Sequence, residues 1–361
     1  MHPQAWLYWN PERVVFTIPL INRPVVWYGL WFVFGFLVGY FILIPMFQRK
    51  IQDQGNQLRE RDVENWPELM RLLKQNPPLL QSLNKVGRQL ITQINGTPSA
   101  SEKTTILNAL NQAGLDRQQL KVLYPKMIYS SRNLAALLVD RLTWFVVAGT
   151  IIGARLGHVF FYDWPRYAAH PEDIVKVWEG GLASHGGALG VMIGLYLYQR
   201  TIRNQFPDLT FLSLMDMIVI PTAFVAGCIR IGNFFNQEIL GFPSSLPWAV
   251  IFGDPIDGGE IVPRHPVQLY EAISYFGIFF ILLYLWRKPN LSTRTGLFSG
   301  LFFILAFSSR FVLETLKVPQ SMMWNESWLQ TGQYLSLPFI FLGIALCIYA
   351  FRSKFILQEK R

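Results

Sequence analysis

Seven apolar runs decide what this chain can become. They lie near residues 27–47, 142–162, 181–199, 211–232, 269–286, 296–316 and 333–351, each long enough to cross the roughly 30 Å hydrocarbon core of a bilayer as a helix. The second carries Arg155 and His158, and the third opens on small and polar residues, so these two are less clean than the rest. Of the 361 residues, 51% are hydrophobic and only 15% charged. That balance excludes a soluble enzyme of this size and leaves a polytopic membrane protein. The expected fold class is all-α, with seven transmembrane helices.

Basic flanks orient the runs. Gln48, Arg49 and Lys50 follow the first; Arg200 and Arg203 the third; Arg287, Lys288 and Arg294 the fifth; Arg352, Lys354, Lys360 and Arg361 the seventh. The opposite loops are poorer in Lys and Arg. Positive charge gathers on the cytoplasmic side, so the N-terminus is expected outside and the C-terminus in the cytoplasm. Residues 1–26 are broken by Pro3, Pro11, Pro19 and Pro24 and lack a basic segment ahead of an apolar one. The first membrane helix, rather than a cleavable signal peptide, is expected to direct insertion. The net charge of +9 is spread, which suits topology and anionic membrane lipids. No basic stripe interleaves with aromatics, so nucleic acid is not an expected partner. Cys228 and Cys347, the only cysteines, belong to different helices and imply neither a disulfide framework nor a metal site.

Three segments follow: 1–47, an outer N-terminal stretch with the first helix; 48–140, a helical cytoplasmic insertion between helices 1 and 2; and 141–361, six further helices. The insertion is polar, with Leu79, Leu83, Val86, Leu90 and Ile94 at helical spacing and a capping box from Ser99 to Glu102 ahead of Ile106, Leu107 and Leu110. Pro67, Pro77, Pro78, Pro98 and Pro125 cut it into short helices. It shows no catalytic constellation.

The chemistry concentrates at 230–241, RIGNFFNQEILG. Arg230 stands near the outer end of a membrane run, where an arginine is functional by default unless it merely snorkels. Asn233, Asn236, Glu238 and Gly241 follow in a polar, glycine-punctuated chain suited to holding a phosphate and ordering a loop. The same topology brings Arg155, His185, Arg310 and Glu314 to the outer side. Each has a plainer reading: Arg310 and Glu314 as an i, i+4 ion pair, Gly186 and Gly187 as helix-packing residues, Arg155 paired with Asp163 or holding a helix carbonyl. Together, three uncompensated arginines on one side call for an anion, and a phospholipid headgroup is the one at hand.

These residues resemble the prolipoprotein diacylglyceryl transferase family. The signature R-x-G-N-F-x-N-x-E-x-x-G is met by Arg230, Gly232, Asn233, Phe234, Asn236, Glu238 and Gly241. H-G-G after W-E-G-G is met by His185, Gly186 and Gly187 after Trp178, Glu179, Gly180 and Gly181. W-Y-G is met by Trp27, Tyr28 and Gly29, R-H-P-x-Q-L-Y-E by residues 264–271, and the late arginine with its glutamate by Arg310 and Glu314. The motifs keep the family's order across nearly the whole chain outside 66–137, a stretch that typical members lack.

The resemblance implies a seven-helix enzyme of the bacterial inner membrane with its site on the periplasmic side. It implies transfer of the diacylglyceryl group of phosphatidylglycerol to the lipobox cysteine of a prolipoprotein. His185, Arg230 and Arg310 would be catalytic; Arg155, Tyr28, Asn233, Asn236, Glu238, Gly241 and Glu314, with Arg230, would hold the lipid; no cofactor or metal is implied. The chain departs from the family at Ile229 (usually glycine), at Leu182, Ala183 and Ser184 before His185, at Ala306 (usually tyrosine), and at Lys317, Val318, Pro319 and Gln320 (usually R-Q-P-x). Tyr28 and Tyr270 are the hydroxyls left to stand in for the absent tyrosine. An anion transporter would show internal repeats, and none is found; a lipid-binding scaffold would tolerate loss of His185, Arg230 and Arg310.

Overall fold

The computed structural model describes residues 6–20, 22–53, 55–256, 258–318 and 328–359. Pro3, Pro319, Gln320, Lys360 and Arg361 lie outside these ranges, as do the side chains of Glu179 and Lys354. The described chain is mostly helical. Its long helices are α1 (Trp27–Gln52), α2 (Ser131–Phe161), α3 (Ser184–Ile202), α4 (Phe211–Asn236), α5 (Val267–Trp286), α6 (Leu297–Glu314) and α7 (Thr331–Glu359). Among the described residues, six helices, all of these but α3, are long and apolar enough to cross a membrane. The architecture is that of a polytopic membrane protein. In α3, glycines, tyrosines and polar ends (Ser184, His185, Gln199, Arg200) dilute the apolar content. α2 starts well before residue 142, because its first turns are amphipathic: Leu134, Ala135, Leu138 and Val139 are buried, and Ser130 Oγ caps the Asn133 amide at 3.0 Å.

The all-α expectation is corrected by five short strands: β1 (Leu7–Trp9), β2 (Val14–Ile18), β3 (Arg23–Val26), β4 (Val250–Phe252) and β5 (Pro263–Arg264). β2 and β3 pair antiparallel, β1 runs parallel to β4 with Leu7 opposite Val250, and β4 pairs antiparallel with β5. β4 and β5 lie between the fourth and fifth membrane runs, and β1–β3 precede the first. Pro11, Pro19 and Pro24 prevent a helix there, and the aromatic and β-branched residues suit a pleated surface.

The chain divides into two compact units, Met1–Ile42 with Phe211–Arg361, and Leu43–Thr210. In the second unit the insertion has its own core, in which Leu69, Met70, Leu73, Ile91, Ile106 and Leu110 are almost fully buried. Its short helices start where asparagine or aspartate accepts an amide: Asn65 before Trp66–Lys74, Asn76 before Pro77–Ser82, Asn84 before Lys85–Gln93, Asp116 before Arg117–Leu123. Helix Ala100–Gln112 starts at Ser99, whose amide donates to Glu102 at 2.7 Å, as the capping box requires. The leucine period from 79 to 94 does not run through one helix. Leu83 is extended and Asn84 starts a new turn, so Val86 is exposed and Ile91 takes the core place. Arg61 anchors the insertion to the segment after α3: its guanidinium stacks 4.0 Å over Phe206 and donates to the Gln205 carbonyl.

In the same unit α2 and α3 meet backbone to backbone. A Cβ on Gly157 would come 2.7 Å from Gly186 Cα, and one on Gly153 would come 2.7 Å from Gly190 Cα. Small residues four apart on both helices permit this approach, so the packing reading holds for Gly186.

In the first unit Asp216, buried near the start of α4, accepts from the Gly296 amide (2.5 Å) and from the Ser299 amide and hydroxyl (both 2.8 Å). It thus caps the start of α6 from a neighbouring helix and satisfies amides that a helix cannot pair internally. That cap sets the helix on which Arg310 and Glu314 ride.

Candidate active site

The last turns of α4 carry Arg230, Asn233 and Asn236 at helical spacing. The helix then closes in a Schellman turn: the Gln237 amide bonds Phe234 O and the Glu238 amide bonds Asn233 O, both at 3.2 Å. Gln237 (φ +54°) and Ile239 (φ +59°) both adopt the left-handed conformation, which costs a non-glycine residue about 1–2 kcal/mol and persists only where the surroundings impose it.

The turn folds Glu238 back over the helix end. Its Oε1 accepts from Asn233 Nδ2 at 2.6 Å and from Asn236 Nδ2 at 3.3 Å, while Asn233 Oδ1 accepts from Arg230 Nη1 at 3.1 Å. One hydrogen-bonded chain therefore links the signature residues. Gln268 Nε2 holds the Glu238 carbonyl at 2.7 Å. Tyr28, in the first turn of α1, packs on Gly232, where a Cβ would meet its ring at 2.9 Å, and lies in electrostatic reach of Glu238 and Arg230.

Arg230 is not uncompensated. Its Nε lies 3.0 Å from Glu271 Oε2, and the other oxygen of Glu271 lies 2.8 Å from Lys317 Nζ. Lys317 Nζ also reaches Glu314 Oε2 at 3.2 Å. The plainer reading of Arg310 and Glu314 as an ion pair does not hold: Glu314 turns to the buried lysine three residues on. Among the described residues Arg310 has no hydrogen bond or ion pair. Tyr275, one turn beyond Glu271 on α5, bonds Arg230 and lies in electrostatic reach of Arg310.

Gly241 is a scaffold residue. It pairs antiparallel with Lys317, and a Cβ there would come 2.7 Å from both His265 Cβ and Val267 Cγ2. Arg264, buried, donates to the Gly241 and Glu260 carbonyls.

In the second unit Arg155 gives its guanidinium to the loop between α2 and α3. It donates to the carbonyls of Ile174 (2.8 Å), Gly180 (2.6 Å), Gly181 (3.3 Å) and Asp173 (2.5 Å), and stacks over Tyr167. Asp163 is not its partner, whereas the Asp173 and Ile174 carbonyls belong to the short 3-10 helix Pro171–Val175, so Arg155 does hold helix carbonyls, and burial with these bonds leaves it few free donors. That loop leads into α3, with the Ala183 amide on Ala154 O at 2.9 Å. His185, in the first turn of α3, is exposed while Gly186 and Gly190 on the same helix are buried.

The sequence profile of the prolipoprotein diacylglyceryl transferase family matches residues 120–349. The chain is 47% identical over 356 residues to the phosphatidylglycerol–prolipoprotein diacylglyceryl transferase of Protochlamydia amoebophila, covering 96% of this chain and 95% of that one. This chain belongs to the prolipoprotein diacylglyceryl transferase family. The correspondingly named protein of Tolumonas auensis is 45% identical over 216 residues, 60% of this chain and 80% of its own length; that of Chloroherpeton thalassium is 43% identical over 208, or 58% and 75%. Coverage of 96% leaves no room to omit the insertion, so the Protochlamydia relative aligns across it.

Of the candidate residues, Tyr28 alone lies outside the segment matched by the diacylglyceryl transferase profile. Within that segment Glu271 and Gln268 stand in the R-H-P-x-Q-L-Y-E motif without a site role assigned from sequence, and Gln237, Tyr275 and Lys317 carry none either. A carboxylate inside the fifth apolar run is itself a functional signal, and Glu271 with Tyr275 at i, i+4 shares a helix face. Lys317 stood out only as a departure from the family's R-Q-P-x, yet it keeps the positive charge. Tyr270 instead accepts from Trp248 Nε1 at 2.8 Å, so the hydroxyl beside Arg230 is that of Tyr275.

Proposed function

We propose that this chain transfers the diacylglyceryl group of phosphatidylglycerol to the lipobox cysteine thiol of a prolipoprotein, the first step of lipoprotein maturation. The thiolate sulfur attacks the glycerol carbon bearing the phosphate, the C–O bond breaks, and glycerol phosphate leaves with the electron pair. A thioether remains, and the thiol proton passes to a base.

Arg310 carries this reading: a guanidinium on a membrane helix with no acidic partner among the described residues, sharing Tyr275 as a neighbour with Arg230. Arg310 takes the phosphodiester oxygens, and Arg230, held by Glu271 and Asn233, adds a second cation for the charge developing on the leaving group. Asn233, Asn236 and Glu238 meet the headgroup hydroxyls or order the turn, and Tyr28 closes it. Glu314 acts through Lys317, and Gly241 through backbone packing. His185 is the base or orients it. Arg155 holds the loop ahead of His185.

In the same reading α3 also crosses the membrane, giving seven spans, with the N-terminus periplasmic, the C-terminus cytoplasmic and the enzyme in the inner membrane. The insertion, residues 48–140, is cytoplasmic. Its anchor at Gln205 and Phe206, next to the basic flank Arg200 and Arg203, supports that side. Residues 1–47 and 141–361 form the remaining segments, the latter with the periplasmic site.

The test is transfer in membranes: phosphatidylglycerol labelled in its acylated glycerol, a lipobox peptide, and the wild type beside Arg230→Ala. Label on the peptide cysteine from the wild type alone is expected; a folded wild type that transfers nothing overturns the reading.

A further inference from the structure

We infer that Gln237 is a positioning residue for this site, clasping the N-terminal strand and the loop after β4 onto the turn that presents Glu238. The inference rests on the functional reading above. Gln237 occupies the place after a helix end where glycine is favoured, because the backbone there is left-handed (φ +54°). Backbone geometry therefore does not explain a glutamine. Its side chain does.

Gln237 is fully buried, and both ends of its amide are engaged. Nε2 donates to Asn10 Oδ1 at 3.1 Å, Oε1 accepts from the Asp254 amide at 2.7 Å, and its own carbonyl accepts from the Ile256 amide at 3.2 Å. Neighbouring contacts knit the same pieces together. Trp9 Nε1 donates to Phe234 O at 3.1 Å, the Gly253 amide to Trp9 O at 3.0 Å, and Arg13 pairs with Asp254 at 2.8 Å.

Residues 9–13 and 253–256 thus brace a turn with two left-handed non-glycine residues, one on each side of Glu238. Without the brace, Gln237 and Ile239 relax toward ordinary backbone conformations and draw the Glu238 carboxylate away from Asn233 and Asn236. Glu238 then loses its aim at the headgroup.

The experiment compares three full-length variants in phosphatidylglycerol nanodiscs. Gln237→Ala loses the clasp and keeps the strain, Gln237→Gly loses the clasp and relieves the strain, and Asn10→Ala breaks the clasp from the other side. The expected result is a KM for phosphatidylglycerol raised about tenfold in each, with kcat within about threefold, the pattern of lost binding rather than lost chemistry. Gln237→Gly is expected to be as heat-stable as the wild type, and the Asn10→Ala, Gln237→Gly double variant no worse than either single one. Wild-type KM in Gln237→Gly overturns the inference, because backbone conformation alone then suffices, as does loss of activity only in proportion to loss of folded protein. A wild type that neither binds nor transfers the lipid overturns the functional reading instead, and the inference with it.

Discussion

Lys317 and Glu271 form a buried ion pair, Nζ to Oε1 at 2.8 Å, and the same carboxylate holds Arg230 at 3.0 Å through its other oxygen. One carboxylate therefore neutralises two cations from two different segments. Glu271→Gln would leave both without that charge in a buried setting, at a cost of about 3–5 kcal/mol. Thermal unfolding in detergent micelles checks this; a melting point equal to that of the wild type would show that the pair carries no stability.

The two arginines are expected to separate by readout. Arg310→Ala removes no hydrogen bond or ion pair among the described residues, so stability should change by less than about 0.5 kcal/mol. Transfer should nonetheless fall by about 10²–10³-fold, the scale for losing a group that stabilises charge in the transition state. Arg230→Ala should lose transfer and stability together, since it takes the cation from Glu271 Oε2 and the donor from Asn233 Oδ1. Near-wild-type turnover in either variant removes that arginine from the chemistry.

Gly190→Ala tests the α2–α3 contact. The added methyl would lie 2.8 Å from the Gly149 carbonyl carbon and 3.0 Å from Gly153 Cα, both backbone atoms that cannot swing away. Overpacking of this kind costs about 1–3 kcal/mol, read as a lower melting temperature and reduced recovery of folded protein.

The insertion should respond to pH through Asp62. Burial pushes its carboxyl above the ordinary aspartate value, outweighing Arg117 at 3.3 Å and the Arg59 amide at 2.9 Å, which pull it down. A carboxyl with a raised folded value stabilises the fold fully below its unfolded value of about 4. That contribution is lost as pH rises through the folded value. Amide exchange in the insertion core, corrected for intrinsic rates, should show greater protection near pH 4 than just above the folded value, and Asp62→Asn should flatten this dependence. Protection that rises with pH in the wild type would contradict it.

The helical membrane architecture was legible because each spanning helix writes itself as a long local apolar run, and because 230–241 is a contiguous motif whose helix and turn are set by neighbours in sequence. The Ser99–Glu102 cap was readable for the same reason. What escaped was non-local. The strands at 7–26 and 250–264 need partners far away in sequence, and the break at Asn84 overrode a leucine period that looked continuous. α2 began early because an amphipathic turn is not an apolar run.

The sequence by itself determined that the chain enters a membrane, carries an arginine–asparagine–glutamate motif at a helix end, and belongs with the diacylglyceryl transferases. Only the tertiary structure decided how the charges are apportioned. It placed Glu271 between Arg230 and Lys317, drew Glu314 from Arg310 to Lys317, and wrapped backbone carbonyls around Arg155. The reason is physical: a buried charge is stabilised by whichever opposite group or dipole lies within about 3–4 Å. Proximity on that scale comes from helix packing and chain return, which spacing along one helix does not encode.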